Sequence, residues 1–170
     1  MVILGIDPGI AITGIGLLES ADRSDLRVRD WCVIETAAGL PLAERLAELA
    51  TDIRQIITEH QPELAVLERL FFTRNQASAI EVAHARGVIA AALAEHGIAV
   101  CDVTPRQLKL AITGDGNADK RQMQDMLIRM LRLAEIPTPD DAADALAMAA
   151  YGALRFHPAA AGFNPADRVA

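Results

Sequence analysis

Short apolar blocks alternate with longer amphipathic ones along this chain, and the pattern predicts both strands and helices. Val2–Asp7 is a nearly continuous apolar run that the turn-forming triplet Asp7-Pro8-Gly9 ends, which predicts a buried strand. Ile12–Leu18 is rich in apolar and β-branched residues, and Arg27–Thr36 alternates in part between apolar and polar positions. These two segments predict a second and a third strand, with the second paired to the first as a hairpin.

A helical spacing begins after the third predicted strand. Pro41–Glu59 places apolar side chains at intervals of three and four residues, which predicts an amphipathic helix. Glu63–Glu68 is a short apolar run that ends in a carboxylate, and Ile98–Val103 is a similar run, so they predict the fourth and fifth strands. The remaining periodic segments predict four more helices: Gln76–His96, Pro105–Thr113, Ala118–Leu133 and Pro139–Leu154.

The order of these elements predicts an α/β fold with a five-stranded mixed sheet flanked by helices. An antiparallel hairpin set comes first, and crossover connections then add parallel strands. The 170 residues fit one domain, which we expect at 1–156, and we expect 157–170 to form a mobile C-terminal tail.

Composition narrows the class of protein. A hydrophobic fraction of 52% with 23% charged residues is typical of a globular chain, and no apolar run reaches the roughly 18 residues of a membrane span. The N-terminus lacks the basic segment of a signal peptide. Cys32 and Cys101 lie in apolar segments without metal-like spacing, so we expect two reduced core cysteines and a cytoplasmic protein.

The net charge of −7 argues mildly against a polyanionic partner, but the charges are unevenly distributed. Residues 65–132 hold nine Lys or Arg and seven Asp or Glu, and this stretch includes both lysines of the chain, Lys109 and Lys120. A local basic surface on an acidic protein is therefore compatible with the sequence.

Two carboxylates end predicted buried strands, Asp7 and Glu68. Carboxylates are seldom buried unless they are paired or bind a metal, and ligand sites in α/β sheets lie beyond the carboxyl ends of strands. If the first and fourth strands are neighbours, these two acids share one edge of the sheet. The plainer readings are a turn-forming Asp7 and a solvent-facing Glu68 paired with Arg69.

Three further acids lie at the start of the last predicted helix. Asp140 is explained by the helix dipole, whereas Asp144 lies past the first turn in a run of Ala, Leu and Met. Asp141 and Asp144 are three residues apart and project from one helix face. Several packed carboxylates repel each other unless a cation neutralises them, and Mg²⁺ or Mn²⁺ prefers oxygen ligands. The four scattered histidines have no zinc-site spacing.

Read together, these motifs resemble the RuvC family of crossover junction endodeoxyribonucleases. The resemblance rests on Gly5-Ile6-Asp7-Pro8-Gly9 with Thr13-Gly14, on Glu68 after an apolar strand, and on Asp141-Ala142-Ala143-Asp144-Ala145-Leu146, over about residues 2–152. It implies a ribonuclease-H-like fold, a homodimer, and symmetrical nicking of a four-way (Holliday) DNA junction in recombination and repair. It also implies dependence on Mg²⁺, with Mn²⁺ as a substitute and two ions per subunit, and nicks with 5′-phosphate and 3′-hydroxyl ends.

The resemblance implies roles for individual residues. The four catalytic acids, which are also the metal ligands, fall on Asp7, Glu68, Asp141 and Asp144, and the basic residues near the scissile phosphate fall on Lys109 and Lys120. Phe71 and Phe72 are candidates to stack on unpaired bases, although core packing is expected for one of them. The other candidate DNA contacts are Arg69, Arg74, Asn75, Gln76, Arg86, Arg106 and Arg121, with ordinary solvated charge as the alternative for the arginines.

Partners and alternatives follow from the same reading. The helix Gln76–His96 has a face of small residues that permits close packing of a second subunit, but this face could equally lie against the sheet. A branch-migration motor complex is a further expected partner. An actin-like or sugar-kinase ATPase is excluded by length. Two alternatives stay open: a related nuclease that acts on RNA or RNA·DNA hybrids, and a non-catalytic junction-binding module.

Overall fold

A computed structural model describes residues 1–22, 24–69 and 76–156, without the side chains of residues 76–78. Along these ranges, five strands and five helices follow one another in the order that the sequence predicts. Their bounds are β1 Val2–Asp7, β2 Ile12–Asp22, β3 Asp25–Glu35, α1 Leu42–His60, β4 Leu64–Glu68, α2 Gln76–Glu95, β5 Ala99–Val103, α3 Pro105–Thr113, α4 Lys120–Leu131 and α5 Asp140–Arg155.

The five strands form one mixed sheet in the order β3-β2-β1-β4-β5. β1 pairs antiparallel with β2 and parallel with β4, so it lies at the centre of the sheet. Asp7 ends β1 and Glu68 ends β4, and the parallel pairing of these strands brings both ends to the same edge. The predicted α/β class and mixed sheet are confirmed, and so is the adjacency of the two acid-ended strands.

Each face of the sheet has its own apolar core. On one face, α1 and α2 bury side chains such as Leu49, Ile53 and Ile89 against Leu4 and Ile6 of β1. On the other face, α3, α4 and α5 pack over a second set that alternates with the first along the strands. The members of that second set from β1 and β4 are Ile3, Leu64 and Val66. The fold is therefore a sheet between two helical layers, in which odd and even strand positions face opposite layers.

Helix α5 lies unusually close to the sheet because glycines face it. A Cβ at Gly5 would fall 1.9 Å from the carbonyl oxygen of Ala145, and one at Gly16 would fall 2.5 Å from the main-chain nitrogen of Leu146. Real Cβ atoms do not approach other atoms so closely, so only glycine permits this helix position. The glycines of β1 and β2 thus set the depth at which α5 rests on the sheet.

Some expectations need correction. β2 and β3 are longer than predicted, because their hairpin ladder continues past Leu18 through the pair Glu19 and Arg27.

Cys101 is buried as predicted, but the prediction of a core position for Cys32 is wrong, because Cys32 is exposed on the outer strand β3. The predicted tail 157–170 lies outside the described residues. Within the described ranges, no helix has the length and apolarity that crossing a membrane requires.

Candidate active site

A cavity of about 190 Å³ opens at the edge of the sheet where β1 and β4 end. Three acids from three elements reach it: Asp7 from β1, Glu68 from β4 and Asp144 from α5. Both lysines of the chain line it as well. The complete lining is Asp7, Glu68, Pro105, Leu108, Lys109, Lys120, Met123, Asp144 and Met148.

Strand register explains why Asp7 and Glu68 face the same way. Ile3 and Gly5 face α5, and Asp7 continues this alternation as the next odd position of β1. Leu64 and Val66 also face α5, so the side chain of Glu68 emerges on that face of β4. Helix α5 then contributes Asp144 from above. Sequence positions more than 130 residues apart therefore meet at one cavity.

The turn that follows Asp7 is fixed by a buried threonine. Thr13 is 1% exposed, and its Oγ1 donates a hydrogen bond of 2.6 Å to the carbonyl oxygen of Gly9. Oγ1 of Thr13 also accepts a longer hydrogen bond of 3.4 Å from the main-chain N–H of Gly9. These contacts give the Pro8-Gly9 and Thr13-Gly14 motifs a structural role, because they hold the chain at the carboxyl end of β1.

The surroundings of Asp7 disfavour its charged form. Burial is the largest cause, and the negative charges of Asp144, Glu68 and Asp141 add to it, so the pKa of Asp7 rises from 3.8 to about 7. Lys120 acts in the opposite direction. Asp7 thus lies within the electrostatic reach of all three other acids that the sequence singles out.

Glu68 and Asp144 also have raised pKa values. For Glu68 the causes are burial and then Asp144. Asp144 keeps contact with solvent at the cavity mouth, but the protein atoms around its carboxylate still raise its pKa, while nearby Lys120 lowers it. Asp141 does not line the cavity. Its negative charge nevertheless helps to raise the pKa values of Asp7 and Asp144.

Lys120 is the cation that acts on this acidic group. Its Nζ donates a 2.5 Å hydrogen bond to Oδ2 of Asp140, and this bond is the main reason that its pKa is raised. The charges of Asp144, Asp140 and Asp141 favour its protonated form further. Lys120 therefore carries a positive charge at neutral pH. Asp140, which the sequence explains by the helix dipole alone, has a second role as the partner of this lysine.

The donor set fits a divalent cation that prefers oxygen ligands. Carboxylates with raised pKa values gain most when a cation offsets their repulsion and desolvation. Across residues 1–22, 24–69 and 76–156, no three acidic, histidine or cysteine side chains stand close enough together to hold a metal ion between them as they are placed. Binding would therefore require side-chain rotations that draw the acids of the cavity inward.

The other predicted DNA contacts have different outcomes. Arg106 and Arg121 are exposed near the cavity elements, and the side chain of Arg106 packs over Gly116, 2.9 Å from where a Cβ would lie. The guanidinium of Arg86 binds the carboxylate of Asp102 on β5, so at this position the structure shows an ion pair within the protein. Phe71, Phe72, Arg74 and Asn75 lie outside the described residues.

Sequence reasoning also missed two features around the site. The close approach of Gly14 to Asp141, with a Cβ position 2.0 Å from the Asp141 carbonyl oxygen, was not anticipated. The Thr13-Gly14 dipeptide was the available signal, but it did not show which helix the glycine would face. The pairing of Arg86 with the end of β4 had no sequence signal at all.

Known proteins that are similar to this chain share one family name. The family model described as crossover junction endodeoxyribonuclease RuvC matches residues 3–151. A protein of that name from Caldicellulosiruptor saccharolyticus is 46% identical over 149 residues, which cover 88% of this chain and 90% of the relative. Another, from Gloeobacter violaceus, is 44% identical over 161 residues, with coverage of 95% and 92%.

Solved structures extend the likeness to three dimensions. The structure of Thermus thermophilus RuvC in complex with Holliday junction substrate matches with a TM-score of 0.86 and 33% identity, covering 91% of this chain and 93% of that one. The yeast mitochondrial Holliday junction resolvase Ydc2 matches with a TM-score of 0.66 at 14% identity, covering 90% and 77%, and this match concerns the fold alone. The ribonuclease-H-like fold is thereby confirmed, and the chain belongs to the RuvC family of crossover junction endodeoxyribonucleases.

Proposed function

We propose that this protein resolves four-way DNA junctions by paired, symmetrical nicks through metal-dependent hydrolysis of phosphodiester bonds. The observation that carries the proposal is the meeting of Asp7, Glu68 and Asp144 at one cavity with Lys120, in a chain whose relatives are named junction nucleases. A cytoplasmic site of action agrees with the free thiols of Cys32 and Cys101.

In this proposal, Asp7, Glu68, Asp141 and Asp144 hold Mg²⁺, with Mn²⁺ as a substitute and two ions per subunit. Divalent cations at such a site supply Lewis-acid stabilisation of the phosphate and activation of water for an in-line attack. Asp7 has a specific part in this. Because its pKa is about 7, Asp7 would have to release a proton to serve as a ligand near neutral pH, so cation binding would depend on pH.

Lys120 supplies a fixed positive charge beside the acids. Negative charge grows on the phosphate oxygens during hydrolysis, and a prepositioned ammonium stabilises the transition state more than the ground state. The hydrogen bond to Asp140 holds Lys120 at the start of α4 while its side chain stays 55% exposed. Lys109 lines the same cavity from α3 and adds a second positive charge.

Arginines around the cavity position the DNA backbone. Arg106 on α3 and Arg121 on α4 are exposed, and guanidinium groups bind phosphates without reading sequence. In the chain segment that follows β4, Phe71 or Phe72 stacks on unpaired bases at the crossover, and Arg74 and Asn75 bind nearby. These residues follow Glu68 by three to seven positions in the sequence, which supports a role in the same reaction.

A homodimer supplies the second active site that symmetrical cleavage needs. The outward face of α2 supports it: an exposed stripe follows helical spacing, and Ile80 in this stripe is 55% exposed. A Cβ at Gly87 would meet no atom within 4 Å, so the centre of the stripe is open to a partner helix. The stripe comprises Ile80, Ala83, Gly87, Ala91 and Ala94.

The decisive experiment uses a mobile four-way junction labelled on each strand, incubated with the protein with and without Mg²⁺. We expect paired nicks at symmetrical positions that DNA ligase seals, and no cleavage without the metal. Asp7→Asn should abolish cutting while junction binding remains. Equal cutting of linear duplex or of an RNA·DNA hybrid would contradict the proposal, and so would unchanged cleavage by the Asp7→Asn variant.

A further inference from the structure

Arg86 links α2 to the ends of two parallel strands. Its Nε donates a hydrogen bond of 3.2 Å to the main-chain carbonyl oxygen of Glu68, the last residue of β4. Its Nη2 binds Oδ1 of Asp102 on β5. The Arg86 side chain is 21% exposed, whereas the carboxylate of Asp102 is 44% exposed. One guanidinium group therefore joins a helix, a candidate active-site residue and the neighbouring strand.

This contact lies on the opposite face of the sheet from the cavity. Asp102 pairs with Leu67, and Leu67 belongs to the core beneath α1 and α2. Glu68 is the next residue, so its side chain turns to the cavity face while its carbonyl oxygen remains within reach of α2. Arg86 thus holds the main chain of Glu68 from behind.

The sheet holds the end of β4 from one side only, because Glu68 pairs with Val103 of β5 but has no partner on β1. The last paired residues of β1 and β4 are Ile6 and Leu67, so Glu68 extends one residue beyond that ladder. On the other side, the N–H of Arg69 donates to the carbonyl oxygen of Val103 at 2.8 Å. The hydrogen bond from Arg86 fixes the intervening carbonyl group of Glu68.

The same geometry argues against a phosphate contact for Arg86. Two of its nitrogens are already engaged by Glu68 and Asp102, and the side chain faces away from the cavity. To bind a phosphate at the cavity, Arg86 would have to leave the carboxylate of Asp102 on the other face of the sheet. The contacts of Arg86 are therefore those of a residue that supports the protein structure, although its place in the sequence made it a candidate DNA contact.

We propose that Arg86 is a positioning residue for Glu68: it fixes the carboxyl end of β4 so that the Glu68 carboxylate stays directed into the cavity. The inference rests on the proposed function, in which Glu68 is a metal ligand. A planar guanidinium can serve two acceptors at once in fixed directions, which a lysine ammonium on a flexible stem cannot do equally well. Groups that orient ligands in this way typically affect metal affinity or activity by about 10- to 100-fold.

The test compares Arg86→Met and Arg86→Lys with a matched control that also joins α2 to a neighbouring element. Arg54 on α1 forms a 3.0 Å ion pair with Glu95 of α2, away from the cavity lining, so Arg54→Met removes a comparable link between elements. For each protein we would measure thermal unfolding, Mn²⁺ affinity without DNA, junction affinity in EDTA, and the single-turnover cleavage rate against Mg²⁺ concentration.

We expect Arg86→Met to bind Mn²⁺ about tenfold or more weakly and to need correspondingly more Mg²⁺ for half-maximal cleavage. Junction affinity in EDTA should stay within about twofold of the wild type, since Arg86 is engaged by Glu68 and Asp102 on the face of the sheet away from the cavity. Arg86→Lys should recover part of the metal affinity, and Arg54→Met should match the wild type. Arg86→Met placed in a Glu68→Gln background should cause no further loss of Mn²⁺ affinity, because the positioned ligand is already gone.

Three results would overturn the proposal. Wild-type metal dependence in folded Arg86→Met would show that Glu68 needs no such support. A loss confined to junction affinity, with a weaker salt dependence, would assign Arg86 to a phosphate. An equal loss of Mn²⁺ affinity in the Glu68→Gln background would show a general structural effect. If Arg86→Met does not fold, Asp102→Asn gives the same comparison, because it weakens the pair but keeps an oxygen acceptor.

Failure of this inference can be distinguished from failure of the proposed function. If the wild-type protein cuts no junction, the proposed function is wrong, but the Mn²⁺ measurements still show whether Arg86 positions Glu68. If the wild type cuts junctions and the Arg86 variants retain its metal dependence, the function stands and the positioning role is wrong.

Discussion

Gly14 on β2 and the main-chain carbonyl of Asp141 on α5 are in direct contact, so closely that a Cβ at position 14 would lie 2.0 Å from that oxygen. Gly14 is also the antiparallel partner of Asp7. A single glycine therefore sets how near the start of α5 comes to the end of β1. This distance decides whether acids from the helix and the strand act on one ligand.

Gly14→Ala should misplace α5 and impair the site. The added methyl group meets main-chain atoms, which cannot rotate away as a side chain can, so we expect a loss of roughly 1–3 kcal/mol in the free energy of unfolding. A displacement of α5 by about 1 Å should lower the cleavage rate by about 100-fold. Circular dichroism melting and single-turnover junction cleavage measure the two effects.

Gly39→Ala is the matched control, because a Cβ there meets no atom within 4 Å. It should leave both the melting temperature and the cleavage rate at wild-type values. A Gly14→Ala protein with full activity would show that α5 can shift without separating the acids.

Asp7→Asn should stabilise the metal-free protein at alkaline pH. Because the folded-state pKa of Asp7 is about 7 and its ordinary value is 3.8, the folded protein holds this proton more tightly than the unfolded chain. The proton on Asp7 stabilises the folded protein fully below about pH 4, and this stabilisation is lost as the pH rises through 7. Asp7→Asn has no carboxylate to ionise at this position and so keeps its stability as the pH rises. At pH 8 its free energy of unfolding should exceed that of the wild type by on the order of 2–4 kcal/mol.

Urea unfolding in EDTA at several pH values between 4 and 8 measures this difference. Glu48→Gln, an exposed change on α1, should show the same pH slope as the wild type. Added Mg²⁺ should reverse the order at pH 8, because only the wild type has the full ligand set. If the free energy of unfolding changed with pH in the same way for the wild type and Asp7→Asn, ionisation of Asp7 would not destabilise the folded protein, and this prediction would be wrong.

Lys120→Gln and Arg121→Gln should separate chemistry from DNA binding. Lys120 lines the cavity, so its loss should lower the single-turnover rate by about 10²- to 10³-fold with little change in junction affinity. Arg121 does not line the cavity, so its loss should weaken junction binding and reduce the slope of log affinity against log salt by about 1. The opposite assignment of rate and affinity losses would show that the two adjacent residues have exchanged roles.

Ala91→Glu should disrupt the proposed dimer. Ala91 lies in the exposed stripe of α2, where a carboxylate on each subunit would introduce both bulk and like-charge repulsion. We expect sedimentation of a monomer and single, unpaired nicks. Thr58→Glu, which adds the same charge at an exposed position of α1, should remain dimeric. A dimeric Ala91→Glu protein with paired nicking would place the subunit contact elsewhere.

Local patterns in the sequence were sufficient for the order of the elements and for the positions of Asp7 and Glu68 at strand ends. The spacing of Leu49 and Ile53 predicted α1, and both residues are buried where that helix meets the sheet. The sequence places Asp7 and Glu68 at one edge if β1 and β4 are neighbours, and the parallel register shows that they are. Such inferences need only periodicity and chain direction.

Contacts between distant segments could not be predicted in the same way. The sequence could not show that β2 continues to Asp22, because main-chain pairing with β3 holds that end together rather than an apolar pattern. Cys32 lies in an apolar segment, but it belongs to an outer strand and is exposed, so segment polarity misjudged its burial. Arg86 resembles any helical surface arginine until the positions of Glu68 and Asp102 are known.

The cavity takes one acid from the first strand and another from the last helix, with nearly the whole chain between them. An incomplete polypeptide, still lacking α5, has no assembled centre for hydrolysis, however well its early hairpin has formed. Under the proposed function, the capacity to break DNA therefore arises only once α5 has been made and has packed on the sheet, which shields the genome from shorter fragments of this nuclease.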